Sequence, residues 1–349
     1  MQKIALAIAS LVCAAGASAQ SSVTLFGVAD AGFTRLSSST AHTSGVSSGE
    51  LSSSRFGLRG VEDLGGGLKA GFWLEAGVSM DTGGSSLRFD RRSTISLSND
   101  LGELRLGRDK IASYVNIEAF DPFGDTGVGG NGASNLLGSS AEGTAAGSHP
   151  KRLSNMLGYT SPKFGGVQAQ LQYSFAERAN NQPNKDRGKG LSARLSYASG
   201  PLSTAIGYAE MSGGTDTQQQ TYKALNLGAS WDFGVVKPML MWARENGANR
   251  SMHAVTLGAS APIGKAGELR VAFTQFDNKS RADADSRKFA LGYVHKLSKR
   301  TALYGTVARV SNDDNATRGL ATSSSALASP SISGGDNVTG YSVGIRHSF

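Results

Sequence analysis

Tyr341-Ser342-Val343-Gly344-Ile345-Arg346-His347-Ser348-Phe349 alternates between the two sides of a strand. Tyr341, Val343, Ile345 and Phe349 fall on one side; Ser342, Gly344, Arg346 and Ser348 fall on the other. Side chains on a strand alternate with period two, so one face is apolar and the other wet. A membrane β-barrel needs this pattern, because lipid lies outside it and water inside.

The dyad recurs upstream. Val167, Ala169, Leu171, Tyr173 and Phe175 oppose Gln168, Gln170, Gln172 and Ser174. Leu225, Leu227, Ala229, Trp231 and Phe233 oppose Asn226, Gly228, Ser230 and Asp232. The segments 191–197 and 289–297 repeat it, and a helical period fits none of them. Aromatics near strand ends (Tyr197, Phe233, Phe289) suit the interfaces of a bilayer. Strands are predicted at 23–34, 53–62, 68–78, 90–98, 102–108, 152–160, 166–176, 189–198, 201–210, 222–233, 235–244, 252–261, 267–276, 287–296, 301–311 and 340–349. That makes about 16, an even number as such barrels require.

Short turns such as 63–67, 99–102 and 199–200 alternate with long polar loops at 36–52, 79–89, 109–151, 177–188, 211–221, 245–251, 277–286 and 312–339. The rhythm matches short periplasmic turns and long extracellular loops. A sandwich of Greek keys would mix connection lengths. The sequence therefore predicts an all-β fold, a closed antiparallel transmembrane β-barrel whose long third loop folds into the lumen. Closure is required because lipid leaves no partner for an unpaired main-chain N–H or C=O.

Residues 1–19 read as a signal peptide, with Lys3 as the basic start, Ile4 to Ala15 as the apolar stretch and Ala17-Ser18-Ala19 as the cleavage site. Residues 20–349 then form a single barrel domain. Removing 1–19 takes away Cys13, the only cysteine, so neither a disulfide nor a thiolate-bound metal is expected. It also removes one of 35 basic residues and no acid, leaving 34 against 27, or +7. This excess is spread along the chain, unlike a nucleic-acid-binding tail.

The loop 109–151 carries Tyr114, Val115, Ile117, Phe120, Phe123, Leu136 and Leu137, which need a surface to bury against. A wide lumen offers one, so the loop is expected to narrow the barrel and bring Glu118, Asp121 and Asp125 with it. By strand parity Arg55 and Arg59 oppose Phe56 and Leu58; Arg92 opposes Ile95 and Leu97; Arg105 opposes Leu104 and Leu106; Arg152 opposes Leu153 and Leu157. A charge facing lipid at the midplane costs about 2–4 kcal/mol, so these arginines should project inward. Arginines facing loop acids would set a transverse field across a narrow aqueous gap. An inward arginine can also be structural, pairing with an acid to pin the loop, and the two roles are compatible.

Several segments together resemble the general porins of Gram-negative outer membranes, in particular the β-proteobacterial type. They are Ser22-Val23-Thr24-Leu25-Phe26-Gly27, Ser54 to Gly65 with its Arg55-Phe56-Gly57-Leu58-Arg59-Gly60 core, Leu74-Glu75-Ala76-Gly77, Gly102 to Arg108, Arg152 with Asn155, Tyr159-Thr160-Ser161-Pro162, and Tyr341 to Phe349. The resemblance implies a sixteen-stranded homotrimeric barrel that passes small hydrophilic solutes and inorganic ions by passive diffusion. It also implies recognition of Phe349 by the barrel-assembly machinery; no cofactor is expected. It places Arg55, Arg92 and Arg152, with Arg59 close by, at the pore eyelet, and Glu118 and Asp121 on the loop. Trp73 departs from the pattern, since the family usually has a polar or basic residue there.

Other classes fare worse. An outer-membrane enzyme needs a nucleophile, base and orienting acid near one rim. His42, His149, His253, His295 and His347 are the only histidines, and none pairs with Ser and Asp at a persuasive spacing. They form no cluster for a metal either. A solute-specific channel would show an aromatic slide, for which only Trp73 and Phe26 stand out. An adhesin or receptor role would reside in the surface loops.

Overall fold

The computed structural model describes residues 22–349 apart from 85–86, 135, 138–149, 324–326 and 328. The segment read as a signal peptide and His149 lie outside the described residues. The strands are β1 (Ser22–Ser37), β2 (His42–Ser48), β3 (Arg55–Gly65), β4 (Leu68–Gly77), β5 (Arg92–Asn99), β6 (Gly102–Lys110), β7 (Arg152–Thr160), β8 (Val167–Ser174) and β9 (Gly190–Ser199). They continue with β10 (Leu202–Gly214), β11 (Gln219–Trp231), β12 (Lys237–Gly247), β13 (Arg250–Ile263), β14 (Gly267–Asn278), β15 (Ser286–Lys296), β16 (Thr301–Asn312) and β17 (Val338–Ser348). A helix, α1 (Ala112–Ala119), follows β6.

Each strand pairs antiparallel with its neighbour, and β17 returns to β1 from Val28↔Ser348 to Ser37↔Thr339. Gly27 and Phe349 extend that seam by exchanging two main-chain hydrogen bonds of 3.0 and 3.1 Å. A Cβ on Gly27 would overlap the Phe349 ring, so only glycine lets the ring lie flat over the seam. With β1 paired to β17 on one side and to β2 and β3 on the other, the sheet closes on itself, as a lipid-spanning sheet requires.

Seventeen strands make sixteen staves because β2 and β3 share one. The upper part of β1 pairs with β2 and the lower part with β3. Between them residues 49–54 leave the ladder, held by Asp30. Its carboxylate accepts bonds from Leu51 N (3.0 Å), Ser52 N (2.7 Å) and Tyr304 Oη (2.7 Å). This excursion carries Glu50 inward.

Lipid-facing parity holds: Leu104, Leu106, Leu171, Leu227, Leu257 and Val343 are all exposed on the outer face. Tyr159, Tyr197, Trp231 and Tyr293 mark the turn-side border of that apolar band, and Phe33, Phe289 and Tyr341 the loop side.

Two expectations fail on the loop side. The segment 36–52 contains strand β2, and 245–251 is a hairpin closed by Ala248-Asn249 at φ 50° and 60°, the signature of a type I′ turn. The alternation of short and long connections therefore breaks at that hairpin. Strands standing above the bilayer meet water on both faces, so their sequence carries loop-like polarity.

Asp30→Ala would leave the Tyr304 hydroxyl and two amides without their acceptor, at about 1–3 kcal/mol for each that stays buried. The heat-resistant folded band in SDS gels should collapse at a lower temperature than the unaltered chain, with Asp30→Asn intermediate.

Candidate functional site: a lumen narrowed from one side

After β6 the chain turns into the barrel and lies against the wall formed by β8 to β15. α1 starts at Ile111, which offers no capping side chain. The wall supplies the caps: Gln172 Oε1 accepts from Ala112 N (2.7 Å) and Ser192 Oγ from Ser113 N (3.2 Å). Asn116 Nδ2 donates to Ala205 O (3.1 Å) and Asn226 Oδ1 (2.8 Å), and Asn226 Nδ2 donates to Ser113 O (3.0 Å). Close approach requires small wall residues. A Cβ on Gly207 would lie 2.9 Å from Ser113 Cα; one on Gly258, 2.6 Å from Pro122; one on Gly292, 2.7 Å from Phe123. Phe120 occupies the space over Gly228 in the same way. Tyr114, Ile117, Phe120, Phe123, Leu136 and Leu137 are buried there, with Val115 half-buried. Glu245 Oε2 anchors the far end by accepting from Leu136 N (2.9 Å) and Leu137 N (3.1 Å).

The opposite wall carries the arginines. Arg59 pairs across the ladder with Trp73, and Arg92 with Glu75, so all four share the inner face. Arg55 lies above them opposite Gly77, its Nη1 donating to Ser53 O (3.2 Å). Arg105 is inward but neutralised, bonded to Glu103 (2.7 Å) and Asp109 (2.7 Å). Arg92 approaches the same Asp109 at 3.4 Å. Arg152 lines the lumen and donates from Nε to Arg91 O (2.7 Å).

Leu153 does not oppose Arg152 on the lipid face, as parity implied. It is buried in the cluster with Ile111 and Tyr114. A register shift between Gly107 and Asp109, with Asn155 at φ 50°, breaks the alternation there. Leu157, beyond the bulge, faces outward.

The loop acids do not reach across to the arginines. Lys110 Nζ holds both oxygens of Glu118 (2.9 and 2.7 Å). Asp125 takes Lys151 Nζ (2.8 Å) and Ser134 Oγ (2.5 Å). Asp121 is buried, its carboxylate accepting from Phe123 N (3.0 Å), Asp125 N (2.8 Å) and Asn131 N (2.7 Å). Burial pushes the Asp121 carboxyl up to about 6 despite the amides of Phe123 and Asn131, which favour its ionised form. Asp121 thus ties the loop to itself. Among the described residues no carboxylate lies within 4 Å of Arg55, Arg59 or Arg152.

Arg91 with Glu75 (2.7 Å), Lys110, Lys151 and Asp109 belong to this lumen but escaped the sequence reading. For Glu75 the signal was available, since it shares parity with Trp73. For Asp109 the bulge hid it. Arg91, Glu118, Lys151 and Arg152 line a cavity of about 780 Å³ at the loop-side mouth, together with Arg318 and Lys288.

The roof of that cavity is the last loop. Leu320 and Ile332 pack with Val128 and Leu36. Glu50 joins the pieces, accepting from Val128 N (3.2 Å) and Ser323 N (3.1 Å). Burial pushes its carboxyl up to about 7. The Ser323 and Val128 amides pull it down; Asp30 adds to the rise and Lys288 opposes it.

Residues 5–315 match the Gram-negative porin family. Outer membrane porin protein 32 of Delftia acidovorans is 39% identical over the full length of both chains. An outer membrane porin protein of Bordetella pertussis is 32% identical over 87% of this chain and 93% of that protein. The solved structure of an anion-selective porin from Comamonas acidovorans superposes with a TM-score of 0.84 at 37% identity, covering 94% of this chain and 100% of that one. OmpT of Vibrio cholerae in its trimer form shares the fold alone, with a TM-score of 0.67 at 14% identity over 94% and 99%. The sealed sheet, the polar lumen and the inward loop are thus those of an outer-membrane channel, and the chain belongs to the Gram-negative porin family.

Proposed function

We propose that this porin passes small hydrophilic solutes and inorganic ions by passive diffusion with a weak preference for anions. The constriction is formed by the wall residues Arg55, Arg59, Arg92 and Arg152 opposite the inward loop. The observation that carries the reading is an asymmetry of partners. Glu118 and Asp125 are matched by lysines, Asp121 by main-chain amides, and Arg105 by two carboxylates, whereas Arg55, Arg59 and Arg152 have no carboxylate within 4 Å among the described residues. The lumen field is then one-sided and positive rather than a balanced dipole. Low-dielectric walls focus such a field on the aqueous gap. The name of the Comamonas structure, an anion-selective porin, agrees with it.

Phe26 and Trp73 meet each other at 5.1 Å, and arginines lie over both rings. This arrangement does not supply the uncovered aromatic track that a solute-specific slide would need. The family reading extends to a homotrimer and to Phe349 as the residue that the barrel-assembly machinery recognises. Its main-chain bonds to Gly27 and its ring over the seam support a place in the last step of closure.

Reversal potentials in a salt gradient across a planar bilayer should show anions more permeant; a clear cation preference would remove the charge argument. A unit charge about 8 Å from the permeating ion in a water-like medium is worth about 0.5 kcal/mol. The effect has opposite sign on the two ions, and salt screening over about one Debye length roughly halves it, so Arg152→Ala should lower the anion-to-cation permeability ratio by roughly twofold and raise conductance. Deletion of Phe349 should cut the yield of folded barrel in membranes far more than it changes the conductance of channels that do assemble.

The Glu50 contact adds a pH dependence. A carboxyl raised in the folded state keeps its proton longer than the unfolded chain does, so its contribution is full below its ordinary value near 4.5 and fades as pH rises through about 7. Asp121, raised to about 6, acts in the same direction. Exchange protection of the Val128 and Ser323 amides, corrected for intrinsic rate, should fall as pH rises from roughly 6 to 8. In Glu50→Gln the part of that fall due to this group should disappear.

A further inference from the structure

Trp73 is a large aromatic side chain set among the arginines of the lumen wall, and its surroundings give it a task. Its indole stands on β4, between the strands that carry Arg59 and Arg92. The Arg92 guanidinium lies over the ring at 4.4 Å from the centroid, and that of Arg59 at 5.0 Å. Phe26 meets the indole edge-on at 5.1 Å and lies 5.5 Å from the Arg59 guanidinium. The Phe26 ring can occupy this place because Gly57, beneath it, has no side chain.

The indole is itself fixed. Its Nε1 donates to Glu75 (3.3 Å), which is committed to Arg91 at 2.7 Å. Arg92 is steadied further by Thr94 Oγ1 (3.1 Å). The nearby Asp109 sits 2.7 Å from Arg105 and only 3.4 Å from Arg92, so its charge is shared. Arg59 has no carboxylate within 4 Å among the described residues.

Two like charges this close would ordinarily swing apart or recruit an acid. An acid would hold them but cancel the charge that an anion pore needs. The negative face of an aromatic ring attracts a cation while carrying no net charge. We propose that Trp73 is a positioning residue for ion selection: it holds Arg59 in the lumen in place of a carboxylate, and holds Arg92 where the only carboxylate within 4 Å among the described residues is one shared with Arg105, so that neither charge is fully cancelled. Phe26 supports it from the neighbouring strand. The inference rests on the anion preference proposed above and names the device that maintains it.

The test is reversal potential and single-channel conductance in planar bilayers, with KCl on both sides of the membrane. Trp73→Leu removes the aromatic face and keeps an apolar side chain; Trp73→Phe keeps a face. The anion-to-cation permeability ratio should fall by roughly half in Trp73→Leu and stay near the original in Trp73→Phe. On an Arg59→Gln, Arg92→Gln background, Trp73→Leu should change the ratio no further, because the residue acts through those arginines. Should Trp73→Leu fail to insert, Trp73→Gln, suited to a water-lined position, serves the same comparison.

A rise in conductance with an unchanged ratio would mean that Trp73 only occupies space, and would overturn the proposal. So would an equal fall in Trp73→Phe and Trp73→Leu. If the unaltered channel shows no anion preference, the underlying reading fails before any variant is made; if it does and Trp73→Leu keeps it in full, this inference alone fails.

Discussion

In hydrocarbon an unpaired main-chain N–H or C=O has no water to turn to, so a sheet that spans a bilayer must return to its own first strand. Here the return is made along the registered pairs between β1 and β17, and Gly27 with Phe349 completes it. Once the sheet is sealed, alternation along each strand assigns half the residues to lipid and half to the lumen. The chain must then fill or wet the interior. It does both: one wall is lined by glycine and alanine under a folded loop, and the other by guanidinium groups in water.

That division was legible in the sequence only on one side. Arg55, Arg59 and Arg92 sit on regular strands whose outward partners are Phe56, Leu58, Ile95 and Leu97, so parity alone sends them inward. The loop's apolar residues likewise announced their need for a surface. The seat itself was less visible. Gly207, Gly228, Gly258 and Gly292 come from four separate strands, and only their register shows that they lie under one another's neighbours along the path of the loop. Parity failed where a strand was irregular. The bulge opposite Leu153 turned an apparent lipid-facing leucine into core, and the excursion at 49–54 put Glu50 into the lumen.

Loop acids were the other limit. Carboxylates spaced along an inward loop suggest an electrode facing the arginines, yet a carboxylate near a loop's own main chain has closer donors. Asp121 meets three amides of its own loop, Glu118 meets a lysine at the loop's root, and Asp125 a lysine at its return. Each contact is local in sequence or at the loop's ends, so it forms at little cost in chain ordering beyond that of the loop itself. Reaching across water to the arginine wall would forgo those bonds for a weaker, solvent-screened attraction.

The result is that neutrality in this lumen is maintained in patches. Where structure must be rigid, as at Arg105 with Glu103 and Asp109, charges are matched within hydrogen-bond distance. Along the proposed constriction, three arginines are held by groups without net charge: the Ser53 carbonyl for Arg55, the Arg91 carbonyl for Arg152 and the Trp73 ring for Arg59, while Arg92 lies against the same ring and shares the Asp109 carboxylate with Arg105. A carbonyl or an aromatic face orients a guanidinium through its dipole or quadrupole and leaves its monopole free to act at a distance. Holding a charge still without cancelling it is the requirement a selective aqueous pore places on its wall, and dipolar partners meet it where carboxylates cannot.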